Sequence, residues 1–357
     1  MEGFSCRTKI VSGPGAVWEL GQLHIQKLLV VADPYFQKTD VPDKLTQAAQ
    51  AEQTSFFYDV TPDPTVELAA KGTALAQKFQ PDTVIALGGG SAMDCAKAMV
   101  YFSGLPIRLI AIPTTSGSGS EVTDFAVLTH NGTKHPLIDS SLLPEMAILD
   151  GNLLNTLPSK LIADAGFDIV AHAAESYVAK NAGAISKALA RDALGTACAR
   201  LPASFAGDTR VRQDIHLAAT MAGMAFAQSG LGLCHAMSHA LGGRFHVSHG
   251  RLNAILLPAV MEANSNVNAQ YATLARGMGL GGTSDTMAVR NLKNALLRLR
   301  KDLQLPATLS QVGIAPRDAR QESVIRAVLA DPCCATNPVT PDEAMVGNLL
   351  HQVSGIG

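Results

Sequence analysis

Thr83-Val84-Ile85-Ala86-Leu87-Gly88-Gly89-Gly90-Ser91-Ala92-Met93-Asp94-Cys95-Ala96-Lys97 is the stretch that decides the fold class. Four of its first five residues are apolar, on both alternating faces, as in a strand covered on both sides of a parallel sheet. Three glycines and a serine follow, and then a run with helical patterning. Strand, glycine loop and helix together form a diphosphate cradle. Glycine lets the backbone approach the phosphate, and the helix start offers N–H groups at the positive end of its dipole. A tight connection alone would explain the loop equally well.

The same grammar extends in both directions. Apolar runs at Lys27 to Ala32, Ser55 to Val60, Leu109 to Ile112 and Met146 to Leu149 read as further strands. Helical patterns lie between them, at Pro42 to Gln53 and Thr65 to Phe79. Alternation of this kind predicts a doubly wound α/β, Rossmann-like dinucleotide-binding domain over residues 1–154. A second loop, Pro113-Thr114-Thr115-Ser116-Gly117-Ser118-Gly119-Ser120-Glu121, leaves the strand at 109–112 with hydroxyls and glycines. Both loops fall at carboxyl ends of strands, where such sheets bind ligands. Asp33 ends its strand where a carboxylate can accept hydrogen bonds from a ribose and repel an added phosphate. It also precedes Pro34, and a turn-starting aspartate is the plainer reading.

After Asp150 the strand pattern gives way to Ala, Leu and Met at helical spacing, at Ile185 to Leu201, Val211 to Gln228, Met287 to Leu303 and Ala344 to Val353. Residues 155–357 therefore read as an all-helical domain. Asp168 and His172 are four apart, on one helix face. His235, His239, His246 and His249 fall within fifteen residues. One aspartate with several histidines makes a mixed oxygen and nitrogen site for a divalent first-row metal. Spacing alone leaves open which histidines ligate. There is no HExxH, so a zincin-type protease is not indicated.

Composition excludes several classes. The 357 residues are 47% hydrophobic and 16% charged, with a formal net charge of -2. Without a basic run, nucleic acid and anionic membrane surfaces are poor partners. No stretch of about 18 apolar residues predicts a membrane span. Six scattered cysteines without a CxxC pair suit a reducing, cytoplasmic setting.

At these residues the chain resembles the iron-containing (group III) alcohol dehydrogenase family, nearly end to end. The resemblance rests on Ser12-Gly13-Pro14-Gly15 through Gly21, read as an opening hairpin and helix, and on Thr61-Pro62-Asp63-Pro64-Thr65. It continues through Gly88 to Lys97, Pro113 to Thr123, Lys134 before Pro136-Leu137-Ile138-Asp139, Leu149-Asp150, Gly230 to Pro258, Asn264, and Asn337-Pro338. It implies metal ligands Asp168, His172, His235 and His249, with Fe(II) as the expected ion and Zn(II) as the alternative. It implies His239 as a proton relay beside the nicotinamide. It implies NAD(H) contacts from Asp33, Asp63, Gly89, Gly90, Ser91, Asp94, Thr114, Thr115, Ser118, Thr123 and Lys134.

Phe4-Ser5, Thr61 to Thr65 and Gly-Gly-Gly-Ser-Ala-Met-Asp are similar to the propanol and ethanol dehydrogenases of bacterial microcompartments. That implies a short alcohol or aldehyde substrate, NADH reoxidation, a homodimer, and shell or partner enzymes as associates. Glycerol dehydrogenases share the general plan, and a non-catalytic scaffold is the remaining rival. Ala240, Arg251-Leu252 and Phe125 depart from the family pattern and are expected to reshape the substrate pocket.

Overall fold

A computed structural model describes residues 3–131 and 133–355. The chain divides into two compact units, Ser5–Leu157 and a second unit beginning at Pro158.

The first unit is built on a six-stranded sheet. Its strands are β1 (Lys9–Ser12), β2 (Lys27–Ala32), β3 (Gln53–Phe57), β4 (Thr83–Gly88), β5 (Arg108–Pro113) and, after a separate hairpin of β6 (Phe125–His130) and β7 (Thr133–Ile138), β8 (Met146–Leu149). The order is β1-β8-β5-β4-β2-β3, and every pairing is parallel. Alternation within each strand feeds two cores. Leu28, Val30, Ile85, Leu87, Ile110 and Ile112 face Phe36 and Leu45 on one side. Leu29, Val31, Val84, Ala86 and Leu109 face Met93, Ala96 and Met99 on the other. Each Val, Leu, Ile, Phe or Met among them contributes about 1.5–3 kcal/mol when fully buried, which is why the continuous apolar runs settle as central strands.

Helices α1 (Val41–Ala49), α2 (Val66–Phe79) and α3 (Gly90–Ser103) complete this unit. Residues 12–21 are not a hairpin. Strand β1 runs straight into a 3-10 turn, Ala16–Gln22, and Asp150 accepts the amides of Gly15 and Val17 at 3.0 and 3.3 Å. The strand expected at Ser55 to Val60 begins earlier and stops at Phe57, where its ladder with β2 ends.

The second unit consists of α4 (Ser159–Val178), α5 (Ala184–Phe205), α6 (Arg212–Ser229), α7 (Leu233–Phe245), α8 (His249–Ala263), α9 (Asn268–Gly277), α10 (Asp285–Asp302), α11 (Pro316–Ala319), α12 (Glu322–Leu329), α13 (Cys333–Thr336) and α14 (Glu343–Val353). Helix α4 is its centre. Of its 20 residues 15 are buried, so it is covered all round, and it packs against α5, α6 and α8. No single helix among the described residues is long and apolar enough to cross a membrane.

Candidate metal centre and dinucleotide loops

In the first unit the two glycine-rich loops meet. A side chain at Gly89 would place its Cβ 3.0 Å from Thr115 Oγ1, and one at Gly90 would come 3.3 Å from Ser118 Cβ. A side chain at either position would press on the facing hydroxyl residue, which would have to give by a few tenths of an ångström. Helix α3 starts at Gly90 with no side-chain cap; the Ala92 and Met93 amides donate to Gly89 O, which leaves those of Gly90 and Ser91 for an anion. The Thr114 amide donates to Gly88 O at 2.9 Å, tying the end of β5 to the end of β4.

Buried Lys97 pins the second loop. Its Nζ donates to the carbonyls of Ser120, Thr123 and Phe125 at 2.7, 2.8 and 2.9 Å. Burial pulls the lysine down to about 8, against the opposing charges of Asp94, Glu121 and Asp124. Desolvation raises Asp94 to about 6, partly offset by Lys97, and its Oδ1 accepts from Ser120 Oγ at 3.3 Å. Thr123 is fully buried, and its hydroxyl serves Lys97 and Ser120 O. Asp94 and Thr123 thus bond to the loop itself. Asp63, in the left-handed region at φ 53°, forms an ion pair with Lys134 at 2.6 Å. Asp33 Oδ1 caps the turn after β2 by accepting Tyr35 N–H at 2.8 Å. Its other oxygen has no protein hydrogen bond among the described residues.

In the second unit, Asp168 and His172 do share a face of α4. His235, in the first turn of α7, stacks on His172 with ring centroids 4.4 Å apart and an interplanar angle of 9°. One ligand atom from each of Asp168, His172 and His235 lies within 4.8 Å of the other two. His249 opens α8 beside them. Its charge acts on Asp168, and its ring meets His239 edge-on at 5.1 Å, but it lies outside that three-residue set.

Two further residues hold the cluster. Glu175, one turn beyond His172, accepts the amide of Cys234 at 2.7 Å and that of His235 at 3.3 Å. It therefore caps α7 from α4. Its Oε2 also pairs with His235 Nδ1 at 2.6 Å. An ionised carboxylate only accepts, so Nδ1 carries a hydrogen, and Nε2, 3.6 Å from Asp168 Oδ1 and 3.2 Å from Asn253 Nδ2, is the ring atom that could take a cation on giving up its own proton. Asn253 donates from Nδ2 to Asp168 Oδ1 at 2.8 Å, while its own Oδ1 accepts from Ser238 Oγ at 2.5 Å. The first amide of α7, Leu233, donates to Asn337 Oδ1 at 3.0 Å, and Asn337 exchanges two bonds with Asn264.

The chemistry of the donor set fits a divalent cation. Against the opposing effect of burial, His172 and His235 hold the Asp168 carboxyl far below the usual carboxylate range. Burial depresses His235, but its bonds to Asp168 and Glu175 outweigh that and raise it to about 9. Both shifts say that the pocket favours positive charge. A soft-hard mix of imidazole and carboxylate suits Fe(II) or Zn(II).

His239, one turn after His235, pairs through Nδ1 with Asp331 Oδ2 at 2.8 Å. Burial raises the Asp331 carboxyl, but the bonds from His239 and the Cys333 amide prevail and hold it below its ordinary value. Glu175, Asn253 and Asp331 were not singled out from the sequence. The departures also resolve differently. Arg251 bonds to Asp164 twice at 3.0 Å, and Leu252 is fully buried. Phe125 lies against the Lys97 ammonium, 5.8 Å from ring centroid to Nζ. His246 is the exposed left-handed residue that ends α7.

Comparison with known proteins yields two family matches in tandem. The iron-containing alcohol dehydrogenase model matches residues 7–151, and the C-terminal model of the Fe-containing alcohol dehydrogenase family matches residues 162–354. The chain is 38% identical over 369 aligned positions to the 1-propanol dehydrogenase PduQ of Citrobacter freundii, covering 99% of this chain and all of that one. It is 34% identical to the NADPH-dependent butanol dehydrogenase of Clostridium saccharobutylicum, over 95% and 94% of the two chains. Among solved structures, the iron-containing alcohol dehydrogenase of Thermococcus thioreducens superposes with a TM-score of 0.92 at 30% identity, over 98% and 99% of the chains.

Proposed function

The chain belongs to the iron-containing alcohol dehydrogenase family, and from that premise we propose that it interconverts a short-chain primary alcohol and its aldehyde, reducing propanal or acetaldehyde and returning NADH to NAD. The observation that carries this reading is the convergence of partly buried Asp168 with buried His172 and His235, and Glu175 behind them. A bound divalent ion supplies Lewis acidity to an alcohol or carbonyl oxygen, and a bound nicotinamide supplies or accepts hydride.

The residues do the rest. Asp168, His172 and His235, joined by His249, hold the ion, and Glu175 and Asn253 keep two of those ligands in orientation. Gly89, Gly90, Ser91, Thr114, Thr115 and Ser118 cradle the diphosphate of NAD(H), with Asp94, Thr123 and Lys97 bracing the loop. Asp63 and Lys134 stand as a pair on the same cofactor surface. The second carboxylate oxygen of Asp33 receives the ribose hydroxyl, which favours NADH over NADPH. His239 holds or moves the proton exchanged with the substrate oxygen. A homodimer, a cytoplasmic setting and association with microcompartment partners complete the reading. Twofold closure is the commonest assembly.

The test is anaerobic purification followed by NADH absorbance with propanal or acetaldehyde, before and after chelation and after Fe(II) is restored. Oxidation that is lost on chelation and regained with iron supports the proposal. NADH formation from glycerol and none from propanol would transfer it to the polyol enzymes.

A further inference from the structure

Asp331 lies between α12 and α13, more than ninety residues beyond His239 in sequence and next to it in space. Both of its oxygens are engaged. Oδ1 accepts the backbone amide of Cys333 at 2.9 Å, and Oδ2 meets His239 Nδ1 at 2.8 Å. Its side chain is 14% exposed, against 35% for the histidine. Rotating the carboxylate would break both bonds, so the acceptor is fixed. The His239 ring, in turn, stands edge-on to His249 at 5.1 Å and near His235 at 6.0 Å.

We propose that Asp331 is the positioning residue of His239, holding its hydrogen on Nδ1 so that Nε2, on the far side of the ring, is the atom that exchanges a proton with substrate. This rests on the reading of His239 as a proton relay. The physical reason is the asymmetry of the two partners. A carboxylate can only accept, so a neutral imidazole facing it must place its hydrogen on that side. Asparagine in the same place has nearly the same shape, but its amide can donate to Nδ1 and drive the hydrogen to Nε2. The wrong tautomer then has no lone pair on Nε2 to take the alcohol's proton, and in the reductive direction the imidazolium that donates from Nε2 loses the carboxylate that stabilises it and receives it back as the Nδ1–H form. A merely structural aspartate would tolerate asparagine, whereas a tautomer-setting one does not.

The experiment compares wild type with D331N, D331A and H239A. It reads kcat and KM for aldehyde and NADH, metal per chain, and the imidazole nitrogen resonances of the zinc-loaded, 15N-histidine-labelled protein. The expected result is a loss of kcat of about 100-fold or more in D331N, with KM changed by less than about threefold and metal content equal to wild type. D331N does no better than D331A. The His239 hydrogen is seen on Nδ1 in wild type and on Nε2 in D331N.

Wild-type kcat in D331N, or an unmoved hydrogen, would overturn the proposal. So would loss of metal in step with activity, which would make Asp331 part of a His239–Asp331–Cys333 ligand group. Unchanged kcat in H239A would instead remove the relay itself, while the nitrogen resonances still decide what Asp331 does to the ring.

Discussion

Replacing Gly250 by alanine tests the packing on which the metal centre depends. Gly250 is the second residue of α8, directly after His249. A Cβ there would sit 1.7 Å from Asp164 O, 2.7 Å from Asp164 C and 3.1 Å from Asp168 N, all on the backbone of α4. The obstacle cannot rotate away, so the helices must part by roughly 1.5 Å to restore ordinary contact. Overpacking against side chains costs about 1–3 kcal/mol. Against backbone the upper figure applies, about 3 kcal/mol. For a unit of this size each kcal/mol lowers Tm by about 2–4 °C, so G250A should melt some 6–12 °C lower.

The same displacement spreads the proposed ligands, because α4 carries Asp168 and His172 and α8 carries His249. Metal sites tolerate only about 0.2 Å of ligand drift, so affinity should fall at least tenfold. The assay is a melt of the metal-free protein by circular dichroism, paired with competition for metal against a chelator. The control is G243A, within α7, where an added Cβ has nothing within 4 Å. It should be neutral or stabilising by about 0.5–1 kcal/mol. A G250A protein that melts within about 2 °C of wild type and holds metal equally well would refute the reasoning.

Two further outcomes are expected. Asn253→Ala strips Asp168 of its amide donor and Ser238 of its acceptor. It should lower stability by about 1–3 kcal/mol and metal affinity by about 10- to 100-fold; urea titration and chelator competition read the two separately, and unchanged affinity would dismiss Asn253 as an orienting group. Asp94 has a carboxyl raised to about 6 from 3.8, so the folded chain binds that proton more tightly than the unfolded one. Its penalty is therefore complete above pH 6 and relieved as pH falls toward 4. The difference in unfolding free energy between wild type and Asp94→Asn should decline with rising pH across that window, and a flat or rising difference would contradict it.

How much of this could be read in the sequence follows from how local each signal is. The central strands were legible because burial on both faces leaves an unbroken apolar run. Strand β1 was not, since Lys9–Ser12 is four residues with two exposed ends. Neither was the β6–β7 hairpin, whose second strand, Thr-Lys-His-Pro-Leu-Ile, carries polar residues and a proline. Strand β3 begins with Gln53 and Thr54 because it is the sheet edge, and the aromatic run after them drew the expected start too late.

Within the site, Asp168 and His172 announce themselves through their spacing on one helix. Glu175 continues the same stripe at the next turn, a buried acid in a run of alanines, and that was its available signal. Asn253, a lone amide among Ala254, Ile255, Leu256 and Leu257, gave a similar one. Asp331 gave none, because only the folded chain brings it to His239. Nothing in the sequence around Arg251 points to its partner Asp164, 87 residues away.

The most direct test of the account is the metal content of anaerobically reconstituted protein, wild type against Asp168→Ala, by mass spectrometry of the metal. The account predicts about one divalent ion per wild-type chain and essentially none in the variant at the same free metal concentration. A variant that retains one ion per chain would contradict it, because the buried face of α4 would then not be where the metal is held.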